Sequence, residues 1–228
     1  MKSWNYELKH GESAECLAIG SGWCAVQTNF NYIRIFSTEG IQKHLICQGT
    51  QLVTMVGYEN FLAVVYHAGP AFLASQSMRV KIINMATRDY KTMIDVECPI
   101  SPNSIMTWAG FSEEGQVFTF DSMGVLRSFS YTEQQWTVRL DFKQRYSSIF
   151  KQVWIVGVYE SEILFIEMPK DHDAPSMIAR NATRRVKMSS PLLDIDTEIV
   201  DGKELTLPQM EAQLQNMWLN LEHEIFRK

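Results

Sequence analysis

Short runs of apolar and β-branched residues, separated by glycine, asparagine and serine, recur along most of the chain. The first set consists of Ala14–Gly20, Trp23–Thr28, Tyr32–Ser37 and residues 41–47, joined by turns such as Ser21-Gly22. Runs of this length, bounded by turn-forming residues, are typical of strands in an antiparallel meander. The chain is therefore predicted to begin with a four-stranded antiparallel sheet.

The same pattern recurs three more times. The further predicted strands are residues 51–57, 61–67, 78–85 and 90–96 in a second set, 104–111, 116–121, 125–131 and 135–142 in a third, and 151–159, 163–168, 177–180 and 186–193 in a fourth. Four-stranded units spaced by ~40–50 residues are typical of propeller blades. An immunoglobulin-like sandwich, the alternative, requires neither a four-strand period nor so many strands. The sequence thus predicts an all-β fold in which residues 1–193 form about four blades of a β-propeller.

The pattern changes beyond residue 193. Residues 194–205 are acidic and are predicted to be a solvated linker. Residues 206–228 are predicted to start an α-helical domain, because Thr206 is a suitable N-cap and Pro208 falls in the first turn. One apolar stripe runs along this predicted helix, formed by Met210, Leu214, Met217, Trp218, Leu221 and Ile225. An isolated helix of this length is marginal in water, so the stripe is expected to dock on another surface.

Composition and charge narrow the classes of protein to which the chain can belong. Its 228 residues are 46% hydrophobic, which suffices for a sizeable core and is too high for a disordered chain. No apolar run reaches the ~18 residues of a membrane helix, and the first residues lack the apolar region of a secretory signal. The net charge of −5 gives no overall basic footprint for nucleic acid. We expect a soluble intracellular protein without a membrane partner.

Candidate catalytic and metal-binding residues are few. The four cysteines show no paired spacing for zinc, and Asp171-His172-Asp173 lacks a third ligand at a suitable spacing. Ser21 does not lie in a nucleophile elbow, and the sequence contains no phosphate-binding loop and no dinucleotide fingerprint. We therefore predict no enzyme, no cofactor and no metal. A propeller hydrolase, the weaker alternative, would need a site on blades outside this sequence.

One basic cluster stands out, formed by Arg180, Arg184, Arg185 and Lys187. Tryptophan and phenylalanine are absent between these residues, so the stacking half of a nucleic-acid platform is missing. An exposed loop is the favoured interpretation, with contact to a DNA backbone as the alternative. Four tryptophans fall on or beside predicted strands and are predicted to pack in the blade cores: Trp23, Trp108, Trp136 and Trp154.

Several segments resemble a known family in their order and spacing. They are Gly20-Ser21-Gly22-Trp23, Tyr66-His67, Trp108-Ala109-Gly110-Phe111-Ser112 and Trp154-Ile155-Val156-Gly157. On these segments the chain resembles, from about Trp4 onward, the SepB-type domain of a family of replisome adaptors. Its animal members are called acidic nucleoplasmic DNA-binding protein, or WD-repeat and HMG-box DNA-binding protein, and its fungal members the chromosome transmission fidelity adaptor.

The resemblance implies a non-enzymatic nuclear scaffold for DNA replication and sister-chromatid cohesion. In that family a six-bladed propeller is followed by a helical bundle, and the propellers form a homotrimer. The helices hold client peptides from the GINS component of the replicative helicase and from DNA polymerase alpha. Three identical sites in one particle would tether several clients at once. The resemblance also implies further blades upstream of Trp4 and client-binding helices downstream of the predicted first helix.

Overall fold

The computed structural model describes residues 3–69, 76–145, 153–159, 161–168, 175 and 183–188. Over these ranges the chain forms fifteen β-strands and one four-residue helix. The chain divides into two compact units, Met1–Ser104 and Ile105–Lys228. The predicted linker 194–205 and the predicted helix 206–228, with its apolar stripe, lie outside the described residues.

The first unit contains two four-stranded antiparallel sheets in which each strand pairs with the next. Sheet 1 is formed by β1 Ala14–Gly20, β2 Trp23–Thr28, β3 Tyr32–Ser37 and β4 Gln42–Cys47. Sheet 2 is formed by β5 Leu52–Tyr58, β6 Phe61–His67, β7 Met78–Asn84 and β8 Thr92–Cys98. The turns between strands use the backbone conformations that glycine and asparagine tolerate, such as the positive φ of Gly22 and Asn31.

The second unit contains a third meander and a further sheet. Sheet 3 is formed by β9 Met106–Phe111, β10 Val117–Asp121, β11 Val125–Ser130 and β12 Gln135–Asp141, followed by the short helix α1 Phe142–Arg145. Sheet 4 has three described strands, β13 Val153–Val158, β14 Glu162–Glu167 and β15 Thr183–Lys187, paired in that order. Four successive antiparallel sheets confirm the predicted all-β meander architecture.

The predicted strands of the first three sets are confirmed to within a few residues, but the fourth set needs a correction. The strand predicted at 177–180 and residues 189–193 of the strand predicted at 186–193 lie outside the described residues. Within the described residues, Thr183–Lys187 is a strand that pairs with β14, so it is the third strand of the sheet. The basic cluster is therefore not a loop over these residues. The sequence does not reveal this strand because only one of its five residues is apolar, and pairing with β14 rather than its own pattern holds it in place.

Alternation along the strands builds the core of the first unit between sheets 1 and 2. Residues of β2 and β3 that face sheet 2 are buried, among them Ala25, Ile33 and Ile35. Leu62 and Val64 of β6 meet them from the other sheet. Because successive side chains of a strand point to opposite faces, each of these strands contributes every second residue to this core.

Sheets 3 and 4 share the core of the second unit. Aromatic rings dominate it, with Phe120 and Phe165 both packing edge-on against Phe142 at centroid distances of 5.6 and 5.4 Å. Phe142 begins α1 and is fully buried, so this short helix closes one side of the core. Edge-to-face packing of this kind adds about 0.5–1.5 kcal/mol to the burial of each ring.

The same seam contact joins the two sheets in each unit. In the first unit, the amide of Ser21, just after β1, donates a hydrogen bond to the carbonyl of Glu59, just after β5. In the second unit, the amide of Glu113 donates to the carbonyl of Val158, which is the last residue of β13. The end of a sheet's first strand is thus bound to the end of the next sheet's first strand, as expected for repeated units.

Candidate interaction surfaces

Strand β15 presents the basic residues on two opposite faces of sheet 4. Arg184 lies opposite the buried Phe165 of β14, whereas Arg185 lies opposite Leu164. Directly opposite residues share a face, and Val186 packs against the core, so Arg184 is on the core-facing side. Arg185 and Lys187 are on the other, open side. Arg180 lies outside the described residues.

Each of the two arginines has a carboxylate partner on β14. Arg184 forms an ion pair with Glu167 at 3.0 Å, and Arg185 forms one with Glu162 at 3.5 Å. The guanidinium of Arg185 also lies 5.6 Å above the ring of Tyr159. The side chains of Arg184 and Arg185 are 60% and 65% exposed, so these ion pairs contribute little to the free energy of unfolding. Among the described residues of this cluster, Arg185 and Lys187 share one face of the sheet and can contact the same partner.

The open face of sheet 4 is apolar beside these two cations. Trp154 of β13 lies opposite Ile166 of β14. Leu164 of β14 lies opposite Arg185 on one side and opposite β13 on the other. The side chains of Trp154 and Val156 are 42% and 47% exposed. The prediction that Trp154 packs in a blade core is therefore wrong, because the alternation of β13 places Ile155 in the core and Trp154 on the opposite face. Trp23 does lie in a core, and Trp108 packs against one.

A second apolar surface lies on the face of sheet 1 that points away from sheet 2. Leu17 and Ile19 of β1 are 56% and 63% exposed there. Their opposite residues on β2, Val26 and Cys24, are half-buried on the same face. Single exposed apolar side chains are ordinary, but adjacent ones on paired strands form a patch that can take part in association.

The outer half of that face is covered by the segment before β1. Trp4 packs on the ring of Phe36 and donates a hydrogen bond from Nε1 to the carbonyl of Thr38 at 3.1 Å. Tyr6 also contacts Phe36 and donates from its hydroxyl to Gln42 Oε1 at 2.8 Å. This coverage explains why Phe36, on the face opposite the core, is almost completely buried.

A buried ion pair fixes the end of this segment. Glu12 accepts two hydrogen bonds from Arg34 of β3, at 2.8 Å from Nε and 2.7 Å from Nη2. Both side chains are almost fully buried. The guanidinium of Arg34 holds the pKa of the Glu12 carboxyl below its usual value. Sequence patterns do not predict this pair, because neither residue lies in a recognisable motif and 22 positions separate them.

A polar network crosses the strands of sheet 2. The hydroxyl of Tyr66 donates to Asp95 Oδ1 at 2.6 Å, and Arg79 donates to the same oxygen from Nε at 2.9 Å. Lys81 lies 5.1 Å from the centre of the Tyr66 ring and donates to Gln48 Oε1. Burial, reinforced by the Asp95 carboxylate, raises the pKa of Tyr66. The phenol therefore stays protonated and serves as a hydrogen-bond donor.

The described part of the chain holds no group of three or more His, Cys, Asp or Glu residues that could bind a metal ion. Asp171-His172-Asp173 lies outside it. Among the same residues, no helix is long and apolar enough to cross a membrane. Exposed apolar or basic side chains lie together on two described surfaces, the basic and apolar face of sheet 4 and the apolar patch of sheet 1.

A comparison with protein-family models assigns the chain. Residues 1–192 match the family described as "Minichromosome loss protein, Mcl1, middle region". The chain belongs to this family. The match spans all four sheets of the Mcl1 middle region, and it confirms the resemblance on which the sequence analysis relied.

Curated relatives of the Mcl1 middle region agree with this assignment. The chain is 27% identical over 199 residues to mouse "WD repeat and HMG-box DNA-binding protein 1", a stretch that covers 86% of this chain and 18% of the mouse protein. It is 31% identical over 189 residues to Arabidopsis thaliana "Protein ENHANCER OF LHP1 1", covering 82% of this chain and 19% of the plant protein. The chain thus spans about a fifth of the length of these relatives.

A solved structure supports the fold alone. The computationally designed Ika4 protein superimposes on the Mcl1 middle-region chain with a TM-score of 0.51 at 12% sequence identity. The superposition covers 83% of this chain and all of the designed one. At this identity the likeness concerns the path of the backbone and carries no functional inference.

Proposed function

We propose that this chain is the propeller part of a non-enzymatic nuclear adaptor of the replisome. It would act in a homotrimeric hub that links the GINS component of the replicative helicase to DNA polymerase alpha. The observation that carries the proposal is the match of residues 1–192 to the Mcl1 middle region. The relatives named as WD-repeat and DNA-binding proteins are consistent with work at chromatin.

The arrangement of the described sheets suits a scaffold. Each described sheet is an antiparallel meander with one face packed in a core, and sheets 1 and 4 carry apolar or basic side chains on the other face. Four such sheets fit blades of a propeller, which we propose is completed by the six-bladed plan of the family. A scaffold of this kind gains affinity by presenting several weak sites in one particle.

Light scattering on a size-exclusion column tests the trimer. Three copies of the 26.3 kDa chain weigh about 79 kDa, and this mass is the expected result. A monomer at concentrations of tens of micromolar contradicts trimer formation by this chain. The measurement does not depend on clients, so it separates the oligomer from the client role.

Fluorescence anisotropy with labelled acidic-hydrophobic peptides of GINS and of DNA polymerase alpha tests the client role. The protein extended by the downstream helices is expected to bind them, and the 228-residue chain is expected to bind at least tenfold more weakly. A peptide of scrambled sequence is the control. Failure of the extended protein to distinguish the true peptide from the scrambled one would contradict the proposed role.

The second candidate is a DNA-binding module that uses the basic residues of 180–187, favoured by the "DNA-binding" name of the mammalian relatives. Arg184 and Arg185 lie on opposite faces of the sheet, and Lys187 shares the face of Arg185. We therefore expect a variant with both arginines changed to alanine to lose DNA affinity mainly through the loss of Arg185. Binding should weaken with rising salt and fall in Arg185→Ala. Glu162→Gln, which releases Arg185 from its ion pair, should strengthen it. An unchanged DNA affinity in both variants would contradict this second candidate function.

A further inference from the structure

The face of sheet 1 that points away from sheet 2, which we call the outer face, is exposed at β1 and covered at β3. The β1 residues of this face and Leu45 of β4 are exposed, whereas Arg34 and Phe36 of β3 are almost completely buried. A separate part of the chain must therefore cover β3. Strand pairing aligns the side chains of the outer face in two rows from β1 to β4, which are Leu17, Val26, Arg34 and Leu45, and Ile19, Cys24, Phe36 and Gln42.

That cover is the segment of residues 3–13, which we call the strap. Trp4 and Tyr6 pack on the ring of Phe36, at centroid distances of 5.6 and 4.9 Å. Near the other end of the strap, Glu12 accepts the two hydrogen bonds of Arg34. The strap contains no strand. Side-chain contacts, rather than a ladder of backbone hydrogen bonds, therefore hold it on β3.

The two ends of the strap are held to different degrees. Glu12 and Arg34 are almost fully buried, so their ion pair is a firm anchor. Trp4 and Tyr6 remain 41% and 43% exposed although both rings contact Phe36. Segments with few buried apolar contacts open at a free-energy cost well below that of global unfolding. We expect the aromatic end to open first, which would join Phe36 to the exposed apolar residues on either side of it.

The contacts of the strap define the ligand that fits the outer face. Phe36 receives two aromatic rings from residues two positions apart. Arg34 holds a carboxylate by two hydrogen bonds, an arrangement that selects both charge and direction. Beside the strap, Leu17 and Ile19 present apolar area that the strap leaves uncovered. A longer segment with the same groups would bury this area as well and would therefore compete with the strap.

We propose that the outer face of sheet 1 is a binding site for an extended segment of a partner protein, and that the strap is a releasable cover of this site. The partner segment carries two aromatic residues two positions apart and a carboxylate that reaches Arg34. The strap acts as a tethered competitor, since a short attached segment is present at an effective concentration in the millimolar range. The site is closed until such a partner displaces the strap. This proposal goes beyond the proposed function and does not depend on it.

Isothermal titration calorimetry tests the site, with a synthetic peptide of residues 3–13 as the probe and the whole 228-residue chain as the receptor. Changing Trp4→Ala and Tyr6→Ala together removes the aromatic contacts of the strap, and this double variant should bind the probe about tenfold or more tightly than the unmodified chain. Trp4→Phe keeps a ring but loses the hydrogen bond to the Thr38 carbonyl, and should show intermediate affinity. Trp154→Ala removes an exposed tryptophan of sheet 4 and is the matched control, with the affinity of the unmodified chain.

A second comparison tests the role of Arg34. In the Glu12→Gln chain, which lacks the carboxylate of the strap, the probe should bind about tenfold more tightly than the same peptide with Glu12→Gln. Circular dichroism verifies the fold of each variant, and if Glu12→Gln is unfolded the aromatic variants decide. Equal affinity of the double variant and the unmodified chain would overturn the proposal. So would a double variant that dimerises in light scattering without binding the probe more tightly, because a second copy would then occupy the face.

Discussion

The indole Nε1 of Trp23 donates a 2.8 Å hydrogen bond to the backbone carbonyl of Glu59, 36 residues further along the chain. The amide of Ser21 donates to the same oxygen. Trp23 belongs to sheet 1 and Glu59 follows the first strand of sheet 2, so this carbonyl joins the two sheets at one point. Trp23 is also buried in the core they share. Trp23 therefore stabilises the contact between the two sheets in two ways, by burying its ring and by donating a hydrogen bond from its indole nitrogen.

Trp23→Phe should destabilise the first unit. Phenylalanine retains an aromatic ring but loses the hydrogen bond and part of the buried volume, so we expect a loss of about 1–2 kcal/mol in the free energy of unfolding. Urea unfolding followed by circular dichroism measures it. Trp154→Phe is the control, because that ring lies outside the core at 42% exposure and the change should cost clearly less than Trp23→Phe. Equal effects of the two changes would contradict the role given to Trp23.

Gly57→Ala should be strongly destabilising. A Cβ at Gly57 would overlap the backbone carbonyl of Ile19, and a backbone atom cannot move aside as a flexible side chain would. Forcing β5 away from β1 should cost about 2 kcal/mol or more. Gly157 occupies the corresponding place in β13, yet its nearest neighbour would be the Tyr159 ring at 3.8 Å. Gly157→Ala should therefore be tolerated in the same unfolding measurement, and similar losses at both positions would refute the close approach of β5 to β1.

Glu12→Gln should release the segment before β1. The change leaves the guanidinium of Arg34 buried without its counter-charge, which costs about 3 kcal/mol for pairs of this kind. Limited proteolysis should then cut the segment around Trp4 and Tyr6 more quickly. Glu167→Gln, which breaks the exposed pair with Arg184, should change the stability by less than about 1 kcal/mol. An unchanged cleavage rate in Glu12→Gln would show that the pair does not hold the segment.

The same pair should make stability depend on pH in the acid range. Since the folded chain holds the pKa of Glu12 below its usual value of 4.5, the carboxylate contributes stability fully above that pH. The contribution is lost as the pH falls through the lowered pKa of the folded state. The unfolding free energy should thus decrease below about pH 4.5, and the decrease should be shallower in Glu12→Gln than in the unmodified chain. If the unfolding free energies of the unmodified chain and of Glu12→Gln decreased equally with falling pH, Glu12 would not be the cause of the pH dependence.

The local pattern of residue types along the sequence determined most of the strands and their order. Strands such as Ala14–Gly20 and Phe61–His67 carry their own signal, because β-branched and aromatic residues between turn formers favour one local structure whatever surrounds them. The four-strand period then follows from the order of those strands along the chain. The resemblance to the Mcl1 family depended on similar local segments, including Gly20-Ser21-Gly22-Trp23, and the family match confirmed it.

Only the tertiary structure decided the pairing of β15, the faces of its arginines and the buried ion pair, because each of these depends on residues that are distant in sequence. Strand β15 is held by pairing with β14, so its basic sequence did not reveal it. The face on which each of Arg184 and Arg185 lies follows from register, and register is set by both strands together. Glu12 and Arg34 are ordinary surface residue types until the segment before β1 crosses sheet 1 and buries them as a pair. Sequence specifies what each strand is, whereas packing specifies which of its residues meet solvent, a charge or another sheet.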